Sequence, residues 1–125
     1  MKNILPVMKA LSDSNRLRIV AVLMKEKELC VCQITELLGI KGASTSRHLS
    51  LLVRAGILKS RKEGRWIFFS IKNGKLSDAL LSSIKNELLK SEELIRDRKS
   101  IKRIIACDVE DICRKQRGEK CCPKK

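Results

Sequence analysis

The sequence has no tyrosine, one tryptophan, two phenylalanines, one histidine and two prolines in 125 residues. With Trp66, Phe68 and Phe69 as its aromatic residues, it must build a core from Leu, Ile and Val. Long apolar runs are lacking as well. The longest, Ile19 to Met24, falls far short of the roughly 20 residues that cross a bilayer. Met1 to Leu11 has no continuous apolar block before a small-residue cleavage site, so no signal peptide is read and a cytoplasmic location is expected. A single histidine means that any metal site must be dominated by thiolates. Also missing are a C-x-x-C pair, an acid–base pair beside a nucleophile and a cofactor loop, which argues against an enzyme and against an organic cofactor. Acids are scarce: 14 Asp and Glu against 28 Lys and Arg leave a net charge of +14. So large an excess on one small domain points to a polyanionic partner, either nucleic acid or an anionic membrane surface.

What is present reads as helix almost throughout. Ile4, Leu5, Met8 and Leu11 mark a first short helix with Pro6 in its tolerant first turn. Leu17, Val20, Leu23 and Met24 mark a second, with Asp13 or Ser14 as its cap. Val31, Ile34, Leu37 and Leu38 mark a third that closes at Gly39. After Ile40-Lys41-Gly42, a fourth runs from Ser44 to Ala55 and stops at Gly56. The period then changes: Ile57–Lys62 and Arg65–Ile71 are short extended runs joined at Glu63-Gly64. Trp66 and Phe68 fall on one face of that hairpin, and Ile67, Phe69 and Ile71 on the other. Helical spacing resumes in Leu76, Leu80, Leu81, Ile84, Leu88 and Ile95, a heptad-like seam interrupted at Ser91 that suits a partner helix. From Arg96 the charge density rises, Ile101, Ile104 and Ile105 add an apolar patch, and the end from Arg114 reads as loose. Four helices with a glycine-punctuated break before the fourth, then a hairpin, describe a mainly α chain. Its expected fold is a winged helix-turn-helix with a two-stranded wing.

Nine basic residues (Lys41, Arg47, Arg54, Lys59, Arg61, Lys62, Arg65, Lys72 and Lys75) stand between positions 41 and 75 against Glu63 alone, so this segment supplies +8 of the net charge. Such a cluster suits phosphates, whose neutralisation releases condensed counterions. Lys41, Ser44, Thr45, Ser46, Arg47 and His48 open the fourth helix, where a helix-turn-helix meets base edges. Arg47 has the fork that suits guanine, and Arg61, Lys62 and Arg65 at the hairpin are placed for an adjacent backbone or minor groove. The plainer alternative is a solvated face with Ser44 as a cap. The agreement of charge, helix order and hairpin favours double-stranded DNA. A membrane surface fits less well, since the charge sits on a hairpin and a helix start rather than along one amphipathic face. His48 has no second histidine to share a metal with, which leaves it a DNA or packing role.

Six cysteines in a reducing compartment point to soft-metal binding or redox sensing. Side chains at i and i+2 of a regular helix diverge, but Cys30 in a non-helical cap position can swing back toward Cys32. The helix N-terminus also favours thiolate. Cys30 and Cys32 are therefore read as two ligands of an incomplete site. Cys107, Cys113, Cys121 and Cys122 are the candidates to complete it. Cys107 and Cys113 are six residues apart, roughly 120° around a helix, and would not chelate one ion while that helix is intact. The alternatives are small buried apolar cysteines, for Cys107 beside Ile104 and Ile105 in particular, or a redox switch through Cys121 and Cys122 or a tail-to-core disulfide. The C-x₂₋₄-C spacing of structural zinc sites is absent.

Several stretches together resemble the arsenic-responsive repressor family of winged-helix proteins. They are Leu11-Ser12-Asp13 through Arg16-Leu17-Arg18-Ile19, Glu28-Leu29-Cys30-Val31-Cys32-Gln33-Ile34, and Ser44-Thr45-Ser46-Arg47-His48-Leu49-Ser50-Leu51-Leu52. Ala55-Gly56-Ile57-Leu58 and Glu63-Gly64-Arg65-Trp66-Ile67-Phe68-Phe69-Ser70-Ile71 complete the likeness, which spans residues 4–95. Leu29-Cys30-Val31-Cys32 resembles the thiolate motif of arsenite-sensing and cadmium- or lead-sensing members. The resemblance implies a homodimer, joined through its first and last helices, that holds operator DNA and releases it when the ion binds. Arsenite or antimonite is the expected inducer, with cadmium or lead, or thiol oxidation, as alternatives. Two departures stand out. Thr35 occupies a position where arsenite sensors often carry a third Cys, and no His follows His48, which removes the ligands of the zinc-sensing branch. The expected organisation is a DNA-binding and dimerisation domain over 1–100 and a basic, Cys-containing extension over 101–125.

Overall fold

The computed structural model describes residues 4–72, 75–107, 109, 112 and 116, with backbone alone for 75–78 and 89. Its elements run α1 (Ile4–Leu11), α2 (Ser14–Lys25), β1 (Leu29–Cys30), α3 (Val31–Leu38), α4 (Gly42–Arg54), β2 (Leu58–Glu63), β3 (Trp66–Ile71), α5 (Lys75–Lys90) and α6 (Glu92–Ala106).

α2 is the centre of the fold. Asp13, in an extended conformation, caps it by accepting the Arg16 N–H at 3.1 Å. Ile19, Val20, Ala21, Val22 and Leu23 are all buried, so the helix is apolar all round at its middle. It touches each of the other five helices as well as β3. Five successive buried residues explain why its apolar stripe is hard to assign to one face from spacing alone.

α4 ends in a Schellman turn. Gly56, at φ 80°, takes the left-handed position, its N–H reaches Val53 C=O, and the Ile57 N–H reaches Leu52 C=O at 3.0 Å. That turn buries Ile57 completely and aims the chain into β2. β2 and β3 pair antiparallel from Leu58↔Ile71 to Glu63↔Trp66, leaving Gly64 and Arg65 as a two-residue loop. Gly64 has φ 62° and Arg65 a negative φ, the pattern of a type II′ hairpin turn.

The sheet departs from the two-stranded expectation. β1 adds a third, two-residue strand through Leu29↔Phe69 and Cys30↔Phe68, giving the order β1-β3-β2. Two residues are too few to display a period of two, so the strand is invisible ahead of the helical pattern that follows it. Leu58, Leu29, Phe69 and Ile71 face the main core. Cys30 and Trp66 form a second small cluster on the other face, with Cys32, Phe68 and Val109 against it.

The seam expected through Leu81, Ile84, Leu88 and Ile95 is not one helix. Ser91, extended at ψ 136°, ends α5 and begins α6, so Ile95 lies on a different helix and Leu81 is in the main core. α6 continues through residue 100, and Ile101 is itself a core residue. What seats α6 is a forked ion pair: Arg18 donates to Asp97 from Nε at 2.8 Å and from Nη2 at 3.0 Å. The same guanidinium reaches Leu37 C=O at 3.3 Å, joining α2, α3 and α6. The hydrogen bond to Asp97 raises the Arg18 pKa further above its ordinary range. With Asp97 only 5% exposed, Asp97→Ala leaves a half-buried cation without its partner. The expected loss is about 3 kcal/mol in urea unfolding, and the double replacement Arg18→Leu/Asp97→Leu should recover part of it.

Candidate thiol site and nucleic-acid interface

Cys30 is the N-cap of α3, with φ −79° and ψ 155°. Its N–H donates to Gln33 Oε1 at 2.9 Å, completing a capping box in which sulfur stands where Ser or Thr is usual. This geometry is what lets a C-x-C pair converge: the cap residue is not helical, so its side chain turns back over the first turn toward Cys32. The Cys32 thiol hydrogen-bonds the Cys30 sulfur, and backbone N–H groups of Cys32, Gln33 and Val31 face it. Together they outweigh burial and bring the Cys30 thiol from 9.0 down to about 7. Trp66 and Phe68 wall the pair from the sheet side, and Val109 packs beside them from the C-terminal extension. Gln116 reaches the same turn, donating to Cys32 C=O at 2.7 Å and to Glu36 Oε1 at 3.5 Å.

Cys107 lies apart from this pair. It is the C-cap of α6, exposed, with Sγ donating to Arg103 C=O at 3.4 Å. It lines a cavity of about 370 Å³ with Glu36, Leu37 and Ile112, facing the far half of α3. Among the described residues no three His, Cys, Asp or Glu side chains come together as a metal-holding group. Cys113, Cys121 and Cys122 fall outside the described residues. The Thr35 hydroxyl is buried and has no hydrogen-bond partner among the described residues.

At the front of α4, Lys41, Ser46 and Arg47 are exposed and Ser44 is half-buried. Thr45 is a correction to the sequence reading. It is fully buried and its hydroxyl donates to Lys41 C=O at 3.3 Å, so it faces the core instead of a duplex. His48 is half-buried and turned toward the start of α2, with Nδ1 3.3 Å from Arg16 Nη1 and 3.9 Å from Asp13 Oδ2. Arg16 also donates through Nε to Ala10 C=O at 2.6 Å and through Nη2 to Lys9 C=O at 3.4 Å. It thereby ties the last turn of α1 to α4. On the hairpin, Lys62 and Arg65 are exposed, while Arg61 is held by Glu28 and by Glu63 at 3.1 Å and lies 4.9 Å over the Phe68 ring. These bonds lower the Glu28 pKa and raise that of Arg61.

Residues 13–60 match the family described as "Bacterial regulatory protein, arsR family". The chain is 33% identical to the arsenical resistance operon repressor of Bacillus subtilis, over 58% of this chain and 72% of that protein. The chain belongs to the arsR family. It is also 46% identical to the cadmium resistance transcriptional regulatory protein CadC of Listeria innocua, over 54% of this chain but only 57% of the relative's length. In structure it is similar to the transcriptional repressor PagR of Bacillus anthracis, at 29% identity and a TM-score of 0.56, covering 66% of this chain and 93% of that one. The arsR family comprises transcriptional regulators, not enzymes, and the fold here is the winged helix expected. Within this arsR-family chain, residues 13–60 take in both the Cys30–Cys32 turn and all of α4. They leave out β3, α5, α6 and the extension that reaches Cys32.

Five residues at these sites were not singled out from the sequence. Gln33 alone of them carried a signal, the capping-box spacing three after Cys30; Arg16 gives the Asp13 cap a backbone N–H, which says nothing of its side chain. Glu28, Val109 and Gln116 gave no local signal, because their partners are distant in the chain.

Two outcomes are expected. Titration of thiolate ultraviolet absorbance should show one group with a midpoint near 7 that Cys30→Ser abolishes. Between that value and 9.0 the unfolded thiol holds the extra proton, so the group's contribution to stability rises with pH and is lost as pH falls through about 7. Secondly, if Arg16 positions α4 through His48, then Arg16→Ala and His48→Ala should be strongly non-additive in DNA affinity. Additive losses would instead place His48 directly on the duplex.

Proposed function

We propose that this chain is a repressor that binds double-stranded operator DNA as a homodimer in the cytoplasm and releases it when arsenite or antimonite binds Cys30 and Cys32. The observation that carries the reading is the thiol turn. One sulfur caps α3 with its pKa near 7, the other lies in the first turn, and only Gly39, Ile40 and Lys41 separate α3 from α4. A thiolate available at neutral pH is the form a soft ion takes, and its capture releases the remaining protons.

Trivalent arsenic needs a third sulfur. Val109 against the Cys30–Trp66 cluster and Gln116 on the Cys32 carbonyl favour its supply from the C-terminal extension, where Cys107, Cys113, Cys121 and Cys122 lie. Drawing the first turn of α3 toward that ligand moves the element that leads into α4. Operator binding holds two such helices about 34–36 Å apart, one turn of DNA, so a small displacement is costly. A coupling of about 3 kcal/mol changes affinity roughly 150-fold, and DNA weakens ion binding by the same factor. Lys41, Ser44, Ser46 and Arg47 on α4, and Arg61, Lys62 and Arg65 on the hairpin, are the proposed DNA contacts. Ile4, Leu5 and Met8, apolar yet exposed along α1, suit the contact between protomers.

A second reading keeps the same switch with cadmium or lead as inducer, favoured by the 46% identity to a cadmium resistance regulator. A gel-shift assay on DNA upstream of the chain's own gene separates these readings. Arsenite should release the wild type, while Cys30→Ser and Cys32→Ser should still bind DNA and no longer respond. Arg47→Ala should weaken binding about tenfold or more with ion stoichiometry unchanged, the loss of one good base contact. Release by cadmium alone would select the second reading, and release by peroxide without any ion would replace both with redox sensing. Normal arsenite release by both serine variants would end the thiol assignment.

A further inference from the structure

The charge on α4 and the hairpin does not account for the whole excess. Residues 41–75 carry +8 of the net +14, and α6 holds a second concentration in Arg96, Arg98, Lys99, Lys102 and Arg103, all exposed. The acids of α6 leave that face positive. Glu92 and Glu93 lie in its first turn, complementing the helix dipole, and Asp97 is buried against Arg18. On the side facing α2, Arg98, Lys99 and Lys102 join Lys25 around a groove of about 480 Å³ over Ile95, with Glu26 as the acid in its lining among the described residues. None of those four cations makes an ion pair with a described side chain.

This face is a poor surface for self-association. A two-fold contact sets each patch against its own copy, so a basic groove would oppose like charges, whereas the exposed apolar face of α1 has no such penalty. It is also separate from the proposed reading surface, since its lining comes from α2 and α6 and not from α4 or the hairpin. Several unpaired cations along one groove match a polyanion that offers regularly spaced charges and asks for no base recognition, which is a phosphodiester backbone.

We propose that the α2–α6 groove is a second phosphate-binding surface that takes the backbone of double-stranded DNA beyond the stretch read by α4. The proposal rests on the DNA-binding reading above, and its test uses random-sequence duplexes so that no operator need be known. Affinities are measured against salt on a short duplex of about 15 base pairs, roughly one and a half turns, and a long one of about 45. The variant is Arg98→Gln/Lys99→Gln/Lys102→Gln, whose positions are exposed, so its melting temperature should match the wild type. On the long duplex its slope of log K against log salt should be shallower by about 0.9 for each phosphate no longer neutralised, up to about 2.7 per protomer. On the short duplex the two proteins should agree. Equal slopes on the long duplex overturn the proposal. If polyglutamate then binds the wild type and not the variant, the groove belongs to an acidic protein. Lys41→Gln/Arg47→Gln separates the two readings: removing two exposed α4 cations should make the salt slope shallower on both duplexes alike. Failure to do so while the triple variant still acts would remove α4 from the duplex and leave the groove standing.

Discussion

Cys30 is at once the last residue of β1 and the cap of α3, and that double membership is the constraint on which the rest of the structure turns. Its backbone pairs with Phe68 of the hairpin, its N–H is bound by Gln33, and its sulfur sits over the first turn beside Cys32. A group attached to that sulfur therefore bears on the sheet and on the helix together. The hairpin and α3, the helix that leads into α4, meet through that one residue. Neither could shift at that point without the other feeling it, because close-packed interiors rearrange between discrete packings and do not stretch.

The chain spends ion pairs sparingly in its interior. Arg18 and Asp97 lock α6 to α2, and the rest of the α6 charge is left outward. Arg61 is different. It is basic and lies on the hairpin, yet two carboxylates and an aromatic ring already occupy it. Its engagement with Glu28 bridges β2 to the segment just before β1, so the same side chain that is a proposed phosphate contact also braces the strand ending at Cys30. A phosphate would have to compete with Glu28 for that guanidinium, which makes the brace and the contact alternatives to one another.

Much of this was legible in the residues. The helix order, the Asp13 cap, the stops at Gly39 and Gly56, the hairpin and its two faces all follow from period and turn chemistry, which are local. The cap position of Cys30 was legible for the same reason: two cysteines two apart can meet only where the helix has not yet begun. The misses are as instructive. β1 is too short to carry a pattern. Ser91 was visible as a flaw in a seam, but only the caps on either side reveal two helices. Thr45 has the chemistry of a DNA contact and the position of a core residue: it stands at i, i+4, i+7 with Leu49 and Leu52, so the helical period put it on the buried face and its side-chain chemistry pointed the other way. Arg18 and Asp97, 79 residues apart, and Gln116 with Cys32, 84 apart, belong to tertiary structure and leave no trace in any window.

The middle of α2, Ile19 to Leu23, is buried beneath the other helices and the sheet. The peptide hydrogens of that stretch should exchange only when the whole domain comes apart. Arg18 ties the middle of α2 to α3 and Arg16 sets its first turn against His48 of α4, so α2 is the common footing on which both helices of the turn rest.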